Sequence, residues 1–466
     1  MIRPQRQVQQ GEFWIARQDL ARVQASRFYD KLDQTLEEIE FTKKVHRLCA
    51  PLYSSEERGR PPIDPVVYFK MLMIGFLENL SGERAIAARC SDSLMIRQFL
   101  GYDLDEETPH HSSFTIIRQR LSKEVYQAVF DIILEGLRRH GLLRGKNLGI
   151  DSSMIEANAS LRALQNRNTG KAYWEYVKGL AADAGVDRED TVAVRRFDRQ
   201  RPGRKTSNEE WVNPNDPDAK VARAKNGASD MLYRPENIVD LDTGAIYSAQ
   251  VRKADEADTE GLAERVIGAA ALVETMRKAT LAATQKPVPA TTATLTADKG
   301  YYCVAELEPI QQSRIKTVIR DPINNRRLDK LSSSEQAAVK QARRSATSKC
   351  GKALLRRRGM HIERSFAHIL DSGGMRRTTL RGQSNLDKRY KIAAATYNLS
   401  QLMRHLFGSG TSKQAAALGS EKGFMGLVFF SMRWVAALLR HFLMPRSHRR
   451  LMDRFGSPSA AQKGSR

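Results

Sequence analysis

Two aspartates stand at the carboxyl ends of predicted strands. Asp151 follows the apolar residues 147–150 and Asp298 follows residues 293–297, and each run has the character of a buried strand that a turn ends. An aspartate at a strand end is often only a turn or capping residue. A pair of such carboxylates is also the oxygen-rich environment that Mg²⁺ or Mn²⁺ prefers. The chemistry that they could support is metal-dependent phosphoryl transfer.

A third acidic residue, Glu363, completes this set. Residues 362–370 have apolar side chains at helical spacing, which predicts a helix with Glu363 beside its apolar face. A glutamate near a helix start can simply be a partner of the helix dipole, so the ordered combination of three acids is what indicates a catalytic and metal-binding set. Two divalent ions in such a site activate the attacking oxygen and stabilise the leaving one, and no protein nucleophile is required.

The charge of the chain indicates a polyanionic partner. Its 466 residues include 76 Lys and Arg against 53 Asp and Glu, which gives a formal net charge of +23. A surplus of this size favours nucleic acid over a merely solvated basic surface. Hydrophobic residues make up 41% of the chain, which is enough for a sizeable core.

Cysteine usage and hydropathy predict a cytoplasmic, nucleoid-associated protein. The four cysteines show no Cys-x-x-Cys spacing, so neither a disulfide framework nor a zinc module is expected. No stretch reaches the roughly 18 uninterrupted apolar residues of a membrane span. Residues 423–443 come closest, but Arg433, Arg440 and His441 interrupt them, which favours an amphipathic or packed helix.

The order of predicted elements divides the chain into domains. After an arm with helices at residues 1–60, residues 61–145 show helical periodicity throughout and are predicted to form an all-helical DNA-binding domain. Residues 146–405 predict strand, hairpin, helix, strand, helix, strand and helix, the pattern of an α/β fold with a mixed sheet. An RNase H-like catalytic domain is the natural candidate, with an exposed insertion at about 160–225. A basic helical tail would follow at 406–466.

Basic side chains are expected to contact DNA. Two short predicted helices that meet near Ser91 and Asp92 have the length of a helix-turn-helix, although plain bundle packing would explain them as well. A dense basic segment also leads into the Glu363 helix, where the phosphate backbone would be its counterpart. The predicted DNA-binding residues are Arg84, Arg97, Arg118, Arg120, Arg356, Arg357, Arg358 and Arg364.

The residues around the three acids resemble the catalytic blocks of the DDE transposases of bacterial insertion sequences, in particular the insertion-sequence-five and eleven-eighty-two types. These blocks are residues 148–153, 296–301 and 362–366. The resemblance extends, in the family order, over residues 109–121, 216–219, 233–244, 381–382 and 397–399. No single block would identify the family, but together they run from about residue 60 to about residue 405.

The resemblance implies that the three acids are metal ligands of an RNase H-like core with two Mg²⁺ or Mn²⁺ ions. The implied substrates are double-stranded DNA at the terminal inverted repeats and at the target, and the implied activity is strand cleavage and transfer. A homodimer is expected from the resemblance alone. Where many relatives have a Tyr, an Arg and a Lys around the Glu, this chain has Arg356, Gly359 and Leu370, so Arg358 or Arg364 would have to supply the phosphate contact.

Two other functions remain open at this point. A nuclease of the same fold would cut DNA without joining it. A DNA-binding regulator that has lost catalysis would do neither, although the presence of all three acids argues against that loss.

Overall fold

The computed structural model describes residues 24–53, 62–202, 207–224, 227–284, 293–323 and 328–418. Within the described residues, Tyr29–Gly410 form one compact unit. Residues 423–443 and most of the predicted tail lie outside the described residues. Within the described ranges, no helix has both the length and the apolar character needed to cross a membrane.

Helices dominate the chain before the first strand. They are α1 Gln24–Glu38, α2 Phe41–Cys49, α3 Pro65–Leu77, α4 Glu83–Asp92, α5 Leu94–Leu100, α6 Ser112–Arg120 and α7 Lys123–Arg139. Local signals set their ends: Asp64 caps α3 through the Val66 amide, and Gly101, at φ 86°, ends α5 in the left-handed conformation. Helix α3 is apolar on every side and is buried over its whole length, so the other helices pack around it. The predicted helices from α3 to α7 are confirmed to within a few residues.

Strands and helices alternate in the rest of the chain. The strands are β1 Asn147–Ser152, β2 Ile155–Glu156, β3 Gln165–Asn166, β4 Trp211–Val212, β5 Lys220–Arg223, β6 Ser229–Asp240, β7 Ile246–Lys253, β8 Thr294–Thr296 and β9 Lys316–Val318. The helices are α8 Tyr173–Asp183, α9 Thr191–Gln200, α10 Leu262–Thr284, α11 Val304–Gln312, α12 Ser333–Thr347, α13 Lys349–Phe366, α14 Gln383–Phe407 and α15 Ser412–Leu418.

The main sheet has the mixed, RNase H-like strand order β7-β6-β1-β8-β9. Strand β6 is antiparallel to β1 and β7, whereas β8 runs parallel to β1 and β9. The predicted hairpin turn is confirmed between β6 and β7, where Gly244 adopts φ 86°. Because β1 and β8 are parallel neighbours, their carboxyl ends lie at the same edge of the sheet.

The two faces of this sheet bury different helices. Leu148 and Ile150 of β1 point into an apolar cluster with residues of α10, α11 and α12. Gly149, between them, points to the opposite face by strand alternation. A Cβ at Gly149 would lie 2.6 Å from Leu241 Cδ2 and 3.1 Å from Ile362 Cδ1. The glycine therefore gives helix α13 its close approach to β1.

Helix α14 joins the N-terminal helices to the sheet, because it packs against α3, α7 and β7. Its Asn398 side chain binds both the amide and the carbonyl of Ile246, and Asp387 accepts from the Val251 amide at 2.8 Å. These contacts satisfy backbone groups along β7, a strand edge that would otherwise be open to pairing. Elements on both sides of the boundary predicted near residue 145 thus pack against α14, and the boundary itself stays a prediction.

A lysine on α14 supports this arrangement and gives a first prediction. Lys388 is buried, and its ammonium donates to the carbonyls of Arg118 and Leu121 at 2.9 and 2.7 Å, at the C-terminal end of α6. Because Lys388→Met would leave both buried carbonyls without this donor, we expect it to lower the free energy of unfolding by about 3 kcal/mol. Urea denaturation measures the loss, and Lys123→Met at an exposed site should change stability by less than about 0.5 kcal/mol. Equal stability of the two variants would contradict the prediction.

The insertion predicted at about 160–225 is folded in its described parts. Helices α8 and α9 form an antiparallel pair with a small core of Val177, Ala181 and Val194. Strands β3 and β4 form a separate two-stranded sheet. The Gly, Pro, Asn, Asp and Arg residues between 181 and 215 are typical of loops, which is why the sequence indicates only an exposed segment.

Candidate active site

Asp151 and Asp298 lie side by side at the carboxyl ends of β1 and β8. Gly149 and Thr296 are register partners across the two strands, and each aspartate comes two residues after its partner. The Asp298 carboxylate accepts a hydrogen bond from the Gly300 amide at 2.8 Å. Its negative charge is one of the causes that raise the pKa of Asp151. The two predicted acids are therefore close enough to repel each other.

Arg358 of α13 binds the Asp151 carboxylate directly. Its Nη1 lies 2.6 Å from Asp151 Oδ2, and the Ser152 amide donates to Asp151 Oδ1 at 2.9 Å. Burial is the largest influence on this carboxyl group and raises its pKa. The Arg358 guanidinium and the Ser152 amide act in the opposite direction and leave the pKa raised overall. Arg358 thus partly offsets both the burial of Asp151 and the charge of Asp298.

Glu363 lies on α13, on the sheet face to which Asp151 points. Ile362 is buried, and Ser365 accepts a hydrogen bond from Asn237, the residue opposite Asp151 on β6. Glu363 itself is exposed. The predicted position of Glu363 beside the apolar face of a helix is confirmed, but α13 begins at Lys349 and not near residue 362, so Glu363 lies in the last turn of the helix. Directly after it, Ala367–Asp371 form a π-helical turn, a local widening that is often found at functional sites.

The donor set fits a hard divalent cation, although it is not a closed cage. Within the described part of the chain, no three His, Cys, Asp or Glu side chains converge closely enough to form a metal site. Asp151 and Asp298 offer the carboxylate oxygens that Mg²⁺ and Mn²⁺ select. Mg²⁺ commonly uses one or two carboxylates and completes its shell with water and substrate oxygens. Two neighbouring carboxylates on a rigid sheet edge therefore suit such an ion, and Glu363 on α13 stays the predicted third ligand.

An open, strongly basic cleft runs past Asp298. Its cationic lining residues are Lys299, Arg320, Lys352, Arg356 and Arg358. They come from three segments of the chain: the turn after β8, the end of β9 and helix α13. Asp298 is the acidic residue of the lining, so a phosphodiester in this cleft would meet cations beside a carboxylate. Arg320 was not predicted, because nothing in its local sequence distinguishes it from other surface arginines.

Asp258 is a further acidic residue at this edge that sequence analysis missed. It accepts hydrogen bonds from Ser152 Oγ at 3.0 Å and from Arg234 Nη1 at 2.7 Å. The helical pattern of residues 256–283 concealed it, whereas helix α10 begins only at Leu262. Arg265 donates to the Asp258 carbonyl and so stabilises the turn before the helix. Asp258 lies five residues after the end of β7, so the strand-end pattern that marks Asp151 and Asp298 does not mark it in the sequence.

Two of the arginines predicted to bind DNA are structural. Arg97 is 8% exposed and donates to the carbonyls of Asp103, Leu104 and Glu106. Arg118 is 7% exposed and forms an ion pair with Glu83. Their guanidinium groups hold the helical region together, which argues against the predicted DNA contacts of Arg97 and Arg118. Local periodicity placed them on helices but could not show which face would be buried.

Most of the other predicted DNA-binding arginines are exposed. Arg84, Arg356 and Arg364 are exposed, as is Arg120, whose guanidinium lies 5.1 Å from the ring centre of Tyr53. Arg357 is partly exposed and forms an ion pair with Asp242 at 2.7 Å. Helices α4 and α5 meet at Ser93 and pack on α3. With Arg97 buried, α5 offers DNA no arginine, which favours bundle packing over base reading by this pair.

Two family models match the chain, one over the N-terminal helices and one over most of the region that forms the sheet. A transposase domain (DUF772) matches residues 18–120, which include α1 to α6. A transposase DDE domain matches residues 197–399, which include Asp298 and Glu363. The chain belongs to the DDE transposases of insertion sequences. No curated protein and no solved structure gives a match.

Membership sets the general activity. DDE transposases cut DNA strands and transfer them in a reaction that depends on divalent metal ions, and their substrates are DNA. The DDE match begins after Asp151. The proposal that Asp151 is the first acid of the set therefore depends on its position beside Asp298 and on the resemblance of residues 148–153. The basic cleft and the net charge of +23 agree with a DNA substrate.

Proposed function

We propose that this transposase cuts DNA at the terminal inverted repeats of its element and joins the freed ends to target DNA at the edge formed by β1 and β8. The observation that supports this proposal is the pair Asp151 and Asp298 beside the basic cleft. In the proposed site, Asp151, Asp298 and Glu363 would hold two Mg²⁺ ions, or Mn²⁺ in their place. When bound, such ions activate the attacking oxygen and stabilise the leaving oxygen.

The side chains of the chain itself position the substrate. Lys352, Arg356 and Arg320 would bind the phosphate backbone, which fixes the register of the DNA without reading its sequence. Asp258 would hold Ser152, and with it the end of β1, in place next to Asp298. Phosphoryl transfer depends mainly on positioning and charge stabilisation, and a rigid strand edge facing a cationic cleft supplies both.

A strand-transfer assay with labelled DNA ends tests the proposal against its two rivals. Joined product is the result expected of the transposase. Cleavage without joining would instead favour an RNase H-fold nuclease, and binding without cleavage would favour a regulator. The flanking DNA of the gene provides the substrate, since short inverted repeats that bracket it define the ends to be labelled.

The cationic cleft gives a second prediction, on salt dependence. Lys352, Arg356 and Arg320 are exposed, and each phosphate contact contributes about 0.9 to the slope of log K against log salt. Replacing all three with Ala is expected to flatten the slope by up to about 2.7. Fluorescence anisotropy with a labelled duplex over a salt series measures it. The matched control replaces the exposed Arg195, Arg196 and Arg199 of α9, and equal slopes for both triple variants would identify the cleft charges as merely solvated.

The assembly and the location are further parts of the proposal. We infer a homodimer, because two element ends must be cut and joined together, and a cytoplasmic, nucleoid-associated location, because the substrate is chromosomal DNA. Residues 61–145, with the exposed Arg84 and Arg120, are proposed to contact the terminal repeat. Light scattering of the protein with and without repeat DNA tests the dimer, and a monomeric complex with paired ends would contradict it.

A further inference from the structure

The Arg358 guanidinium stands where a cation bound to Asp151 would stand. Both oxygens of this carboxylate already have partners: Oδ1 accepts from the Ser152 amide, and Oδ2 from Arg358 at 2.6 Å. Oδ2 has a further lone pair, but a divalent ion there would stand beside a group of the same sign. Asp151 is thus least suited to hold a metal ion while Arg358 is in contact with it.

Arg358 also has a second possible position. Its side chain lines the basic cleft, and its Nε donor is buried without a hydrogen-bond partner among the described residues. A guanidinium presents two parallel donors that match a phosphate group in bidentate geometry. A DNA phosphate in the cleft would therefore offer Arg358 more hydrogen bonds than the single one that it donates to Asp151.

We propose that Arg358 gates the metal site: it neutralises Asp151 while DNA is absent, and a DNA phosphate in the cleft draws it away so that metal ions can bind. This inference rests on the proposed metal-binding role of Asp151 and Asp298. Once the guanidinium leaves, its positive charge no longer offsets the repulsion between the Asp151 and Asp298 carboxylates. That repulsion then favours the binding of a metal cation. DNA binding and metal binding are then coupled, and by linkage each raises the affinity of the other by the same factor.

The coupling is measurable as Mn²⁺ affinity of the full-length protein, read from the electron paramagnetic resonance signal of free Mn²⁺. For the wild type we expect weak binding that a duplex of the element end tightens about tenfold, within the usual range of coupling between sites. Arg358→Gln removes the charge and should bind Mn²⁺ without DNA about as tightly as the wild type binds it with DNA. Arg358→Lys retains the charge and should behave like the wild type.

Two controls separate the gate from other causes. Arg138→Gln breaks a comparable ion pair, with Glu135 on α7, and should leave Mn²⁺ affinity unchanged. Arg358→Gln that binds Mn²⁺ no more tightly than the wild type without DNA would overturn the gate. Asp151→Asn should lose Mn²⁺ binding, and its retention would contradict the metal site itself. If Asp151→Asn loses Mn²⁺ binding but Arg358→Gln does not bind Mn²⁺ more tightly, the gate is rejected and the proposed function is left intact.

Discussion

Asp151→Asn is expected to abolish DNA cleavage while the affinity for duplex DNA stays within a few-fold of the wild type. A neutral amide is a far poorer ligand for Mg²⁺ than a carboxylate. The loss of several kcal/mol of charge stabilisation, at a factor of ten per 1.36 kcal/mol, corresponds to about 10³-fold or more in rate. DNA affinity should be maintained because no cleft cation is removed and Arg358 is released from its ion pair.

Matched variants make this result specific to the site. Asp298→Asn and Glu363→Gln should behave like Asp151→Asn, whereas Asp183→Asn, at an exposed position of α8, should cleave normally. Cleavage of a labelled element end in Mg²⁺ and anisotropy with the same duplex give the two readouts. Full cleavage by any one of the three variants would exclude that residue from the metal site.

Gly351→Ala is expected to destabilise the protein by about 3 kcal/mol, at the upper end of the usual cost of overpacking. Gly351 is buried in the first turn of α13, and a Cβ there would lie 1.8 Å from the carbonyl oxygen of Ser345 on α12. Because the obstacle is backbone, no rotamer change relieves it, and α13 must shift relative to α12. That shift would also move Arg358 and Glu363, so cleavage should fall with stability.

A second glycine of the same helix is the control for this prediction. A Cβ at Gly359 would meet only the Glu363 carboxylate, at an ordinary contact distance of 3.9 Å. Gly359→Ala should therefore gain about 0.5–1 kcal/mol from the lower conformational entropy of the unfolded chain. Urea denaturation measures the change in the free energy of unfolding for each variant, and the two changes should have opposite signs. A stabilised Gly351→Ala would show that α12 and α13 are not packed as closely as described.

The elements that the sequence predicted well are those with strong local signals. The helices from α3 to α7 have clear caps and periodicity, and β1 and β8 are apolar runs that end at an aspartate and a turn. The adjacency of Asp151 and Asp298 then follows from the fold class, because parallel neighbouring strands end at the same sheet edge. The candidate pair could thus be proposed from short-range patterns and a small number of topological rules.

What the sequence could not show depends on contacts between distant segments. Arg97 and Arg118 sit on correctly predicted helices, but only tertiary packing decides that their guanidinium groups face inward. Asp258 was hidden in a helical pattern because the turn before α10 is held by the side chain of Arg265. The ion pair between Arg358 and Asp151 joins residues 207 positions apart. No periodicity in a local window contains that information.

Helix α14 has a consequence for synthesis on the ribosome. The apolar faces of α3 and α7 that it covers are complete when residue 145 has been translated, but α14 ends only at Phe407. At about 5–20 residues per second, the intervening stretch of about 260 residues takes roughly 13–50 s to translate. During that interval α14 is not yet available to cover the nascent N-terminal helices, so we expect their apolar faces to stay exposed until α14 emerges. We expect a chain truncated before α14 to keep these apolar faces exposed and therefore to aggregate more readily than the full chain.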